Sequence, residues 1–220
     1  MASDGGRVSG RLRILIVDDH PMLRQGLKQT LADAAAVGEV VAAANGQEAL
    51  ELVRQGDWDA VVLDIGLPGR GGIEVLKDIK RERPRLPVLM LSMHPEEQYA
   101  IRALRAGASG YLTKEAATEK LLDAIATITT GRRFITPDLA ERLATELTAD
   151  TTGPLHASLS DREFEVLRLI ASGISVGDIA ERLSLSVKTV STYRTRILEK
   201  MRLKNNAELM KYVLTNHLLD

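Results

Sequence analysis

Three aspartates stand where predicted parallel strands end, and their carboxylates could together hold a divalent cation. Asp18 and Asp19 directly follow the apolar run RILIV, and Asp64 ends the apolar run AVVLD. In an open α/β sheet the carboxyl ends of the strands meet at one crevice, so acids far apart in the sequence can converge there. Three adjacent carboxylates repel one another unless a cation compensates them, and hard oxygen ligands favour Mg2+.

Two further polar side chains follow neighbouring strands and could act on a phosphoryl group. Ser92 ends the predicted fourth strand, and Lys114 follows the fifth. A lysine ammonium offers a compact positive charge to one phosphoryl oxygen, and a serine hydroxyl can donate a hydrogen bond to another. Each residue taken singly could instead cap a helix or be a solvated surface charge. Because four strand ends each carry a residue suited to phosphoryl chemistry, one shared site is the better interpretation.

The elements that must position these residues alternate between strand and helix five times. This pattern is typical of a parallel sheet with helices on both faces. The strand order does not follow from the pattern alone, and we expect a five-stranded doubly wound sheet of the flavodoxin-like kind. Strands are predicted at residues 13–17, 40–44, 60–64, 88–92 and 110–113, and helices from Pro21, from Asn45, and over 72–81, 95–106 and 116–130.

A polar segment separates this region from the rest of the chain. Residues 148–158 (TADTTGPLHAS) carry no apolar periodicity, which is typical of a linker. Just before them, Thr136 and Pro137 predict the start of a short helix that runs to about Leu147. We therefore expect an α/β domain over residues 12–131, a linker with a short helix over 132–158, and a second domain over 159–220.

The second domain is predicted to be all-α. Ser160 and Glu163 form the capping-box pattern S-x-x-E ahead of an apolar helical stripe. Further stripes predict a short second helix after Gly173, a third helix capped by Ser186 and a fourth that begins at Asn205. Four short helices with a tight entry into the third indicate a helix-turn-helix unit.

The predicted third helix of this unit carries a strong local positive charge. Residues 186–204 hold six Lys or Arg and one Glu, whereas the whole chain has a net charge of -1. A short basic stripe on a nearly neutral protein indicates an anionic partner, although a solvated helix face would look similar. Polar side chains at i, i+3, i+4 and i+7 could face base edges, and long cations could reach flanking phosphates. The first group is Lys188, Ser191, Thr192 and Thr195, and the second is Arg194, Arg196 and Lys200.

Composition excludes several other kinds of chemistry. The chain has no cysteine, which excludes disulfides, thiolate catalysis and Cys-ligated zinc. Its four histidines form no ligand-spaced cluster in the sequence, so we expect any metal to be held mainly by oxygen. The apolar runs are too short to span a bilayer, and the first ten residues lack the apolar core of a signal peptide. We expect a cytoplasmic protein with no membrane partner.

Taken in order, these motifs resemble a known family. The segments DDHPMLRQGL, VVLDIGLPGRGG, LSMH and GYLTK resemble the receiver domain of two-component response regulators. The segment LSDREFEVLRLIASGIS and the later DIAERLSLSVKTVSTYRTRILEKM resemble the LuxR-type DNA-binding domain. The resemblance covers roughly residues 12–217, and the whole is similar to the NarL/FixJ family.

The resemblance implies specific roles for the acidic site. Asp64 would be the phosphoacceptor for a sensor histidine kinase, and Mg2+ would be held by Asp18, Asp19, Asp64 and the carbonyl of Gly66. Lys114 would pair with the phosphoryl group, Ser92 would hydrogen-bond to it, and Tyr111 would be the switch residue. Glu115 follows Lys114 where many receivers have proline, which leaves a cis peptide there undecided.

The resemblance also implies partners for the second domain. The basic helix would contact double-stranded promoter DNA, the phosphorylated protein would form a homodimer, and RNA polymerase is a candidate partner. Val176 and Gly177 depart from the family, which usually has Asn and Lys there, so one cation that contacts the DNA backbone is missing. The expected DNA contacts are Lys188, Thr189, Ser191, Thr192, Arg194, Thr195, Arg196 and Lys200.

Two other functions compete with this interpretation. A Mg2+-dependent phosphohydrolase could also form an aspartyl phosphate, but Gly66 stands where such an enzyme would need a general acid. A DNA-binding protein with a vestigial receiver is disfavoured because the acidic site is intact, with the set Asp18, Asp19, Asp64, Ser92 and Lys114. We therefore expect a transcriptional regulator and not an enzyme, with at most slow self-dephosphorylation.

Overall fold

The computed structural model describes residues 10–93, 96–137, 139–141, 154–216 and 218–219. The chain divides into two compact units, an α/β unit (Met1–Thr136) and a helical unit (Pro137–Asp220). The helix expected from Thr136 to about Leu147 falls mostly on residues outside the described part of the chain.

The α/β unit is built on one sheet of five parallel strands. The strand order is β2-β1-β3-β4-β5, which confirms the doubly wound, flavodoxin-like prediction. The second strand begins at Val37, three residues before the predicted start, because Gly38 and Glu39 interrupt the apolar pattern while the backbone still pairs with the first strand. The strands are β1 (Leu12–Val17), β2 (Val37–Ala43), β3 (Ala60–Asp64), β4 (Val88–Ser92) and β5 (Gly110–Thr113).

Five helices follow the strands in turn. A core that includes Ile14, Val62 and Leu112 packs against the first and fifth helices through Leu31 and Leu121. The second, third and fourth helices contact one another in series. The helices are α1 (Pro21–Ala32), α2 (Gly46–Gln55), α3 (Gly72–Glu82), α4 (Glu96–Arg105) and α5 (Lys114–Thr129).

The two strands β3 and β4 are central and buried along their whole length. All five residues of each strand are buried, so they appear in the sequence as continuous apolar runs and not as an alternating pattern. Each fully buried Val, Leu or Ile side chain favours folding by about 1.5–3 kcal/mol. The only breaks in the two runs are Asp64 and Ser92, which end their strands at the carboxyl edge.

After α5 the chain returns to the outer edge of β5. Gly131 (φ +83°) follows the helix, and Phe134 donates its backbone N–H to the Ser109 carbonyl at 2.9 Å. Gly110 and Phe134 form a single parallel bridge. A Cβ at Gly110 would lie 2.8 Å from the Phe134 carbonyl oxygen, so this approach requires glycine.

From Leu155 onward, the described part of the helical unit contains four α-helices, as predicted. Ser160 and Glu163 form the expected capping box, and Ser186 and Asn205 cap the third and fourth helices. A short 3-10 turn (Leu155–Ser158) precedes them. The helices are α6 (Asp161–Ala171), α7 (Val176–Arg182), α8 (Val187–Met201) and α9 (Asn206–Thr215).

Across the part of the chain that the structure describes, no helix is both long enough and apolar enough to cross a membrane.

Candidate functional site

The sheet brings Asp18, Asp64 and Lys114 together at its carboxyl edge. Strands β1 and β3 are neighbours, with Val17 opposite Leu63, so the aspartates that follow these residues lie side by side. The Lys114 Nζ atom lies 2.7 Å from Asp18 Oδ2 and 2.7 Å from Asp64 Oδ2. The side chains of Asp18, Asp64 and Lys114 are only 0%, 2% and 5% exposed. One lysine therefore bridges two buried acids from adjacent strands.

Lys114 holds this position because it is the first residue of α5. Thr113 caps the helix, and its Oγ1 accepts a hydrogen bond from the Ala116 N–H at 3.1 Å. The helix thus begins two residues before the predicted start at Ala116, because the Thr113 side chain caps it. The peptide between Lys114 and Glu115 is trans.

Burial and charge act in opposite directions on the two central groups. Burial raises the pKa of Asp64, and Asp18 adds to this effect, whereas Lys114 lowers it; the net pKa is above the ordinary value. Burial alone would lower the pKa of Lys114, but Asp64 and Asp18 outweigh it and the net pKa is raised. Lys114 is therefore held in its charged form.

The acidic pocket has the composition of a divalent-cation site. Asp18, Asp19, His20 and Asp64 each offer one ligand atom, and these atoms lie within 4.8 Å of one another. Asp18 Oδ2 and Asp19 Oδ1 are buried, and neither accepts a hydrogen bond of good geometry, although Lys114 and His20 lie near them. Three carboxylates face one lysine, so the local charge is negative and the pocket fits Mg2+.

Sequence reasoning missed His20. The four histidines form no ligand-spaced cluster in the sequence, whereas in the structure one of them lies beside the acids, with His20 Nδ1 2.9 Å from Asp19 Oδ1. The available signal was its position directly after the Asp18–Asp19 pair, because a loop that turns a strand into a helix can point consecutive side chains at one crevice.

The loop after Asp64 depends on two glycines. The Gly66 N–H donates to Asp64 Oδ1 at 3.1 Å, and the Gly72 N–H donates to the Ile65 carbonyl at 2.9 Å. A Cβ at Gly72 would lie 2.0 Å from the Asp64 carbonyl oxygen, which is far inside van der Waals contact. Gly72 thus lets α3 begin against the end of β3. The predicted helix start at Gly72 is correct, but the sequence pattern does not reveal this role.

Ser92 and Tyr111 lie on the strands next to Asp64. Asp64 pairs in register with Leu91, and Ser92 pairs with Thr113, so Ser92 shares the carboxyl edge with the acidic pocket. Ser92 is 1% exposed and Tyr111 is fully buried on β5. Their roles as phosphoryl ligand and switch residue stay predictions.

Helix α8 presents a polar face to solvent and an apolar face to its own unit. Val190, Ile197 and Met201 are buried, as the sequence predicts. Thr189 is half-buried at the helix cap, where its N–H donates to Ser186 Oγ at 3.0 Å. The exposed members of the predicted DNA-contacting set are Lys188, Ser191, Thr192, Thr195, Arg196 and Lys200, and Arg194 is half-buried.

Two of the predicted phosphate-contacting cations also hold α8 in place. Arg194 donates from Nε to Asn206 Oδ1 of α9 at 2.7 Å. Lys200 Nζ lies 2.6 Å from Glu163 Oε2 of α6, and the Glu163 side chain is 3% exposed. Burial opposes ionisation of Glu163, but Lys200 and Ser160 outweigh it and lower its pKa. Spacing along the helix could not reveal these contacts with other elements.

Two family models match separate parts of the chain. The model for the response regulator receiver domain matches residues 14–126, and the model for bacterial regulatory proteins of the luxR family matches residues 157–213. Each match covers the part of the chain that carries the corresponding site.

Similar proteins extend over nearly the whole chain. The response regulator UvrY of Escherichia coli strain K12 is 35% identical over 199 residues, or 90% of this chain and 91% of UvrY. The oxygen regulatory protein NreC of Staphylococcus carnosus is 36% identical, over 95% of this chain and all of NreC. RcsB of Salmonella enterica serovar Typhimurium, solved on the rprA promoter with the phosphomimetic BeF3-, matches with a TM-score of 0.61 and 26% identity, over 92% of this chain and 98% of RcsB.

The chain has a parallel α/β unit whose acidic pocket is paired with a lysine, and a luxR-type helical unit follows it. This combination defines a response regulator. The chain belongs to the NarL/FixJ family of two-component response regulators.

Proposed function

We propose that this protein is a DNA-binding transcriptional regulator that a sensor histidine kinase activates by phosphorylating Asp64. The observation that carries the proposal is the Lys114 ammonium at 2.7 Å from both Asp18 and Asp64, in a chain whose second unit exposes a basic helix. The domains of this proposal are a receiver over residues 12–131, a linker over 132–158 and a LuxR-type domain over 159–220.

Asp64 is the group that accepts the phosphoryl moiety. A carboxylate oxygen of Asp64 forms the new O–P bond as the N–P bond of the kinase phosphohistidine breaks, and the histidine nitrogen leaves with the electron pair. Lys114 offsets the negative charge added to the pocket, and the Ser92 hydroxyl donates to a phosphoryl oxygen. Asp64 accepts one phosphoryl group per molecule, so the protein is a substrate of the kinase and at most slowly dephosphorylates itself.

The acidic pocket would hold Mg2+. Asp18, Asp19, Asp64 and the carbonyl of Gly66 are the proposed ligands. One carboxylate oxygen of each aspartate lies within 4.8 Å of the others, which supports this assignment. When bound, Mg2+ supplies positive charge that stabilises the transferring phosphoryl group. Asp18 and Asp19 keep the pocket negative enough to attract the cation.

The response to phosphorylation involves Ser92, Tyr111 and dimer formation. The phosphoryl group on Asp64 accepts a hydrogen bond from Ser92 and so pulls on the end of β4, and Tyr111 on the adjacent β5 adjusts its packing. Two phosphorylated copies then form a homodimer that binds double-stranded promoter DNA, where RNA polymerase is the candidate partner. Because the promoter is part of the chromosome, the cytoplasm is the proposed location.

The DNA interface is the exposed face of α8. Exposed short side chains can approach base edges closely, and exposed cations can reach phosphates. Arg194 and Lys200 contact phosphates while they hold α8 to its neighbouring helices. The proposed contacts are Lys188, Thr189, Ser191, Thr192, Arg194, Thr195, Arg196 and Lys200.

The test is labelling by a low-molecular-weight phosphodonor with Mg2+, followed by DNA-binding titrations with and without the donor. The wild-type protein should incorporate one phosphoryl group and bind promoter DNA more tightly afterwards. Asp64→Asn should abolish both effects, because an amide is a poor nucleophile and lacks the charge of a Mg2+ ligand. Asp123→Asn, on the exposed surface of α5, is the matched control and should behave as wild type. Undiminished labelling of Asp64→Asn would exclude the proposed phosphoacceptor.

A further inference from the structure

The imidazole of His20 lies against the acidic pocket, where it adds a nitrogen to an otherwise all-oxygen set. His20 Nδ1 is 2.9 Å from Asp19 Oδ1 and 3.3 Å from Asp18 Oδ1. Ligands in adjacent positions of an octahedral site at about 2.1 Å from the ion are separated by roughly 3 Å. The two atoms Nδ1 and Asp19 Oδ1 thus have the separation that one shared cation requires.

Backbone contacts fix the loop that carries His20. The His20 N–H donates to Asp18 Oδ1 at 2.8 Å, and the Arg24 N–H donates to the His20 carbonyl at 3.0 Å. Arg24 also donates from Nη1 to the Asp18 carbonyl at 2.6 Å. Pro21 begins α1 directly after His20 and restricts the backbone further. The backbone of His20 is therefore held beside the carboxylates by contacts on both sides of the residue.

The His20 side chain has no competing structural role at the helix cap. His20 occupies the N-cap position of α1, but its side chain makes no capping hydrogen bond. The side chain is 64% exposed, so it adds little to the core. Its nitrogen is available to a cation, and its loss should not disturb the fold.

We propose that His20 Nδ1 is a ligand for a divalent transition metal in the acidic pocket and shifts the preference of the site from Mg2+ towards the later first-row ions. The inference rests on the metal site of the proposed function. Carboxylate and carbonyl oxygens suit Mg2+, whereas an imidazole nitrogen favours the later divalent ions of the first transition series. His20 thus determines metal specificity, and the expected metal is a borderline ion such as Ni2+ or Zn2+.

The first test detects the nitrogen directly. Mn2+ is bound to the full-length protein without a polyhistidine tag, and electron spin-echo envelope modulation is recorded. The wild-type spectrum should contain modulation from a directly bound 14N nucleus, and His20→Gln should lose it. His156→Gln, in the helical unit, is the matched control and should keep it. Wild-type spectra without 14N modulation, or modulation that persists in His20→Gln, would overturn the proposal.

The second test measures selectivity by calorimetric titration with Ni2+ and with Mg2+. His20→Gln should reduce the ratio of Ni2+ to Mg2+ affinity by about tenfold or more, while Mg2+ affinity changes little. An unchanged ratio would contradict the role of His20. Asp19→Asn separates this inference from the proposed function: it should weaken both metals, and wild-type binding of both by Asp19→Asn would mean that the acidic pocket itself is wrongly assigned.

Discussion

Lys114 shares one positive charge between two buried acids that belong to different strands. Its Nζ atom is 2.7 Å from an oxygen of each acid, and all three side chains are nearly inaccessible to solvent. A buried carboxylate without a partner is costly, so Lys114 also stabilises the folded state. Phosphorylation of Asp64 would therefore change the charge of a group whose ion pair with Lys114 also stabilises the folded state.

Lys114→Met should destabilise the protein by about 3 kcal/mol at pH 7 without added metal. The substitution keeps most of the side-chain volume but leaves Asp18 and Asp64 facing each other without the ammonium. Chemical denaturation followed by circular dichroism measures the change. Lys120→Met, on the exposed surface of the same helix, is the control and should change stability by less than about 0.5 kcal/mol.

The destabilisation by Lys114→Met should depend on pH. The pKa of Asp64 is higher in the folded state than in the unfolded state, where it is near 4. Protonated Asp64 therefore favours folding below about pH 4, and this contribution to the free energy of unfolding is lost as the pH rises through the pKa of the folded state. Without Lys114 the pKa of Asp64 rises further, so the stability difference between variant and wild type should be smaller near pH 4 than at pH 7. A difference that does not change with pH would mean that Lys114 acts through packing and not through charge.

At the scale of elements, α8 is both an exposed polar surface and a part of the helical core. Arg194 and Lys200 contact Asn206 of α9 and Glu163 of α6. These contacts orient the helix before any DNA is bound. A cation that is already positioned loses less conformational freedom when it reaches a phosphate.

Arg194→Ala should weaken binding to all DNA sequences and reduce the salt slope of log K by about 0.9, the value for one phosphate contact. Binding titrations across a range of salt concentrations measure the slope. Asn206→Ala is the matched control, because it removes the contact with Arg194 Nε but keeps the charge. Equal changes of slope in the two variants would show that Arg194 only orients α8.

Helix α7 offers a site where a cation can be added. Gly177 is exposed on this helix, and a Cβ there would lie 3.7 Å from Ser175 Oγ, an ordinary van der Waals distance. Gly177→Lys should raise the salt slope by about 0.9 and DNA affinity roughly fivefold at 0.15 M salt. Gly177→Ala is the control and should stabilise the helix by about 0.5–1 kcal/mol without changing the slope. Equal affinities of the Lys and Ala variants would place α7 away from the DNA backbone.

The sequence predicted these elements well where local signals determine them. The buried runs of β3 and β4 and the caps Ser160, Ser186 and Asn205 are local patterns, and the structure confirms the elements they mark. Local pattern could not reveal contacts between distant segments.

The contacts that the sequence did not predict are of two kinds. Some join residues that are far apart in the sequence, and others depend on a close approach of the backbone. Arg194 and Asn206 are on different helices, and the role of Gly72 depends on how closely α3 approaches the Asp64 carbonyl. Spacing within the sequence does not place His20 with the acids, because its contact with Asp19 depends on how the loop after β1 turns. The acidic set itself was predictable, since parallel strands bring their carboxyl ends to one edge.

At the scale of the whole molecule, DNA binding should require two copies of the chain. The basic stretch at residues 186–204 has only six Lys or Arg, so a single copy should bind with modest affinity. A symmetric dimer needs half-sites about 10 bp apart, one turn of the double helix. With phosphodonor present, the fraction of DNA bound should rise steeply with protein concentration on such a site, as expected for cooperative binding of two copies. Insertion of about 5 bp between half-sites should abolish the steepness and insertion of about 10 bp should retain more of it; indifference to spacing would indicate binding by single copies.

The bridge between Gly110 and Phe134 bears on how the α/β unit could be isolated. An edge strand with free N–H and C=O groups is a template for pairing with another molecule, and the segment that follows α5 covers part of that edge on β5. A proteolytic or recombinant fragment of residues 10–136 should stay monodisperse. A fragment of residues 10–131 should associate at high concentration, as sedimentation velocity would reveal. Identical sedimentation of the two fragments would mean that the bridge does not protect the edge. Residues 132–136, just beyond the last helix of the unit, thus decide whether the fragment stays monodisperse or self-associates.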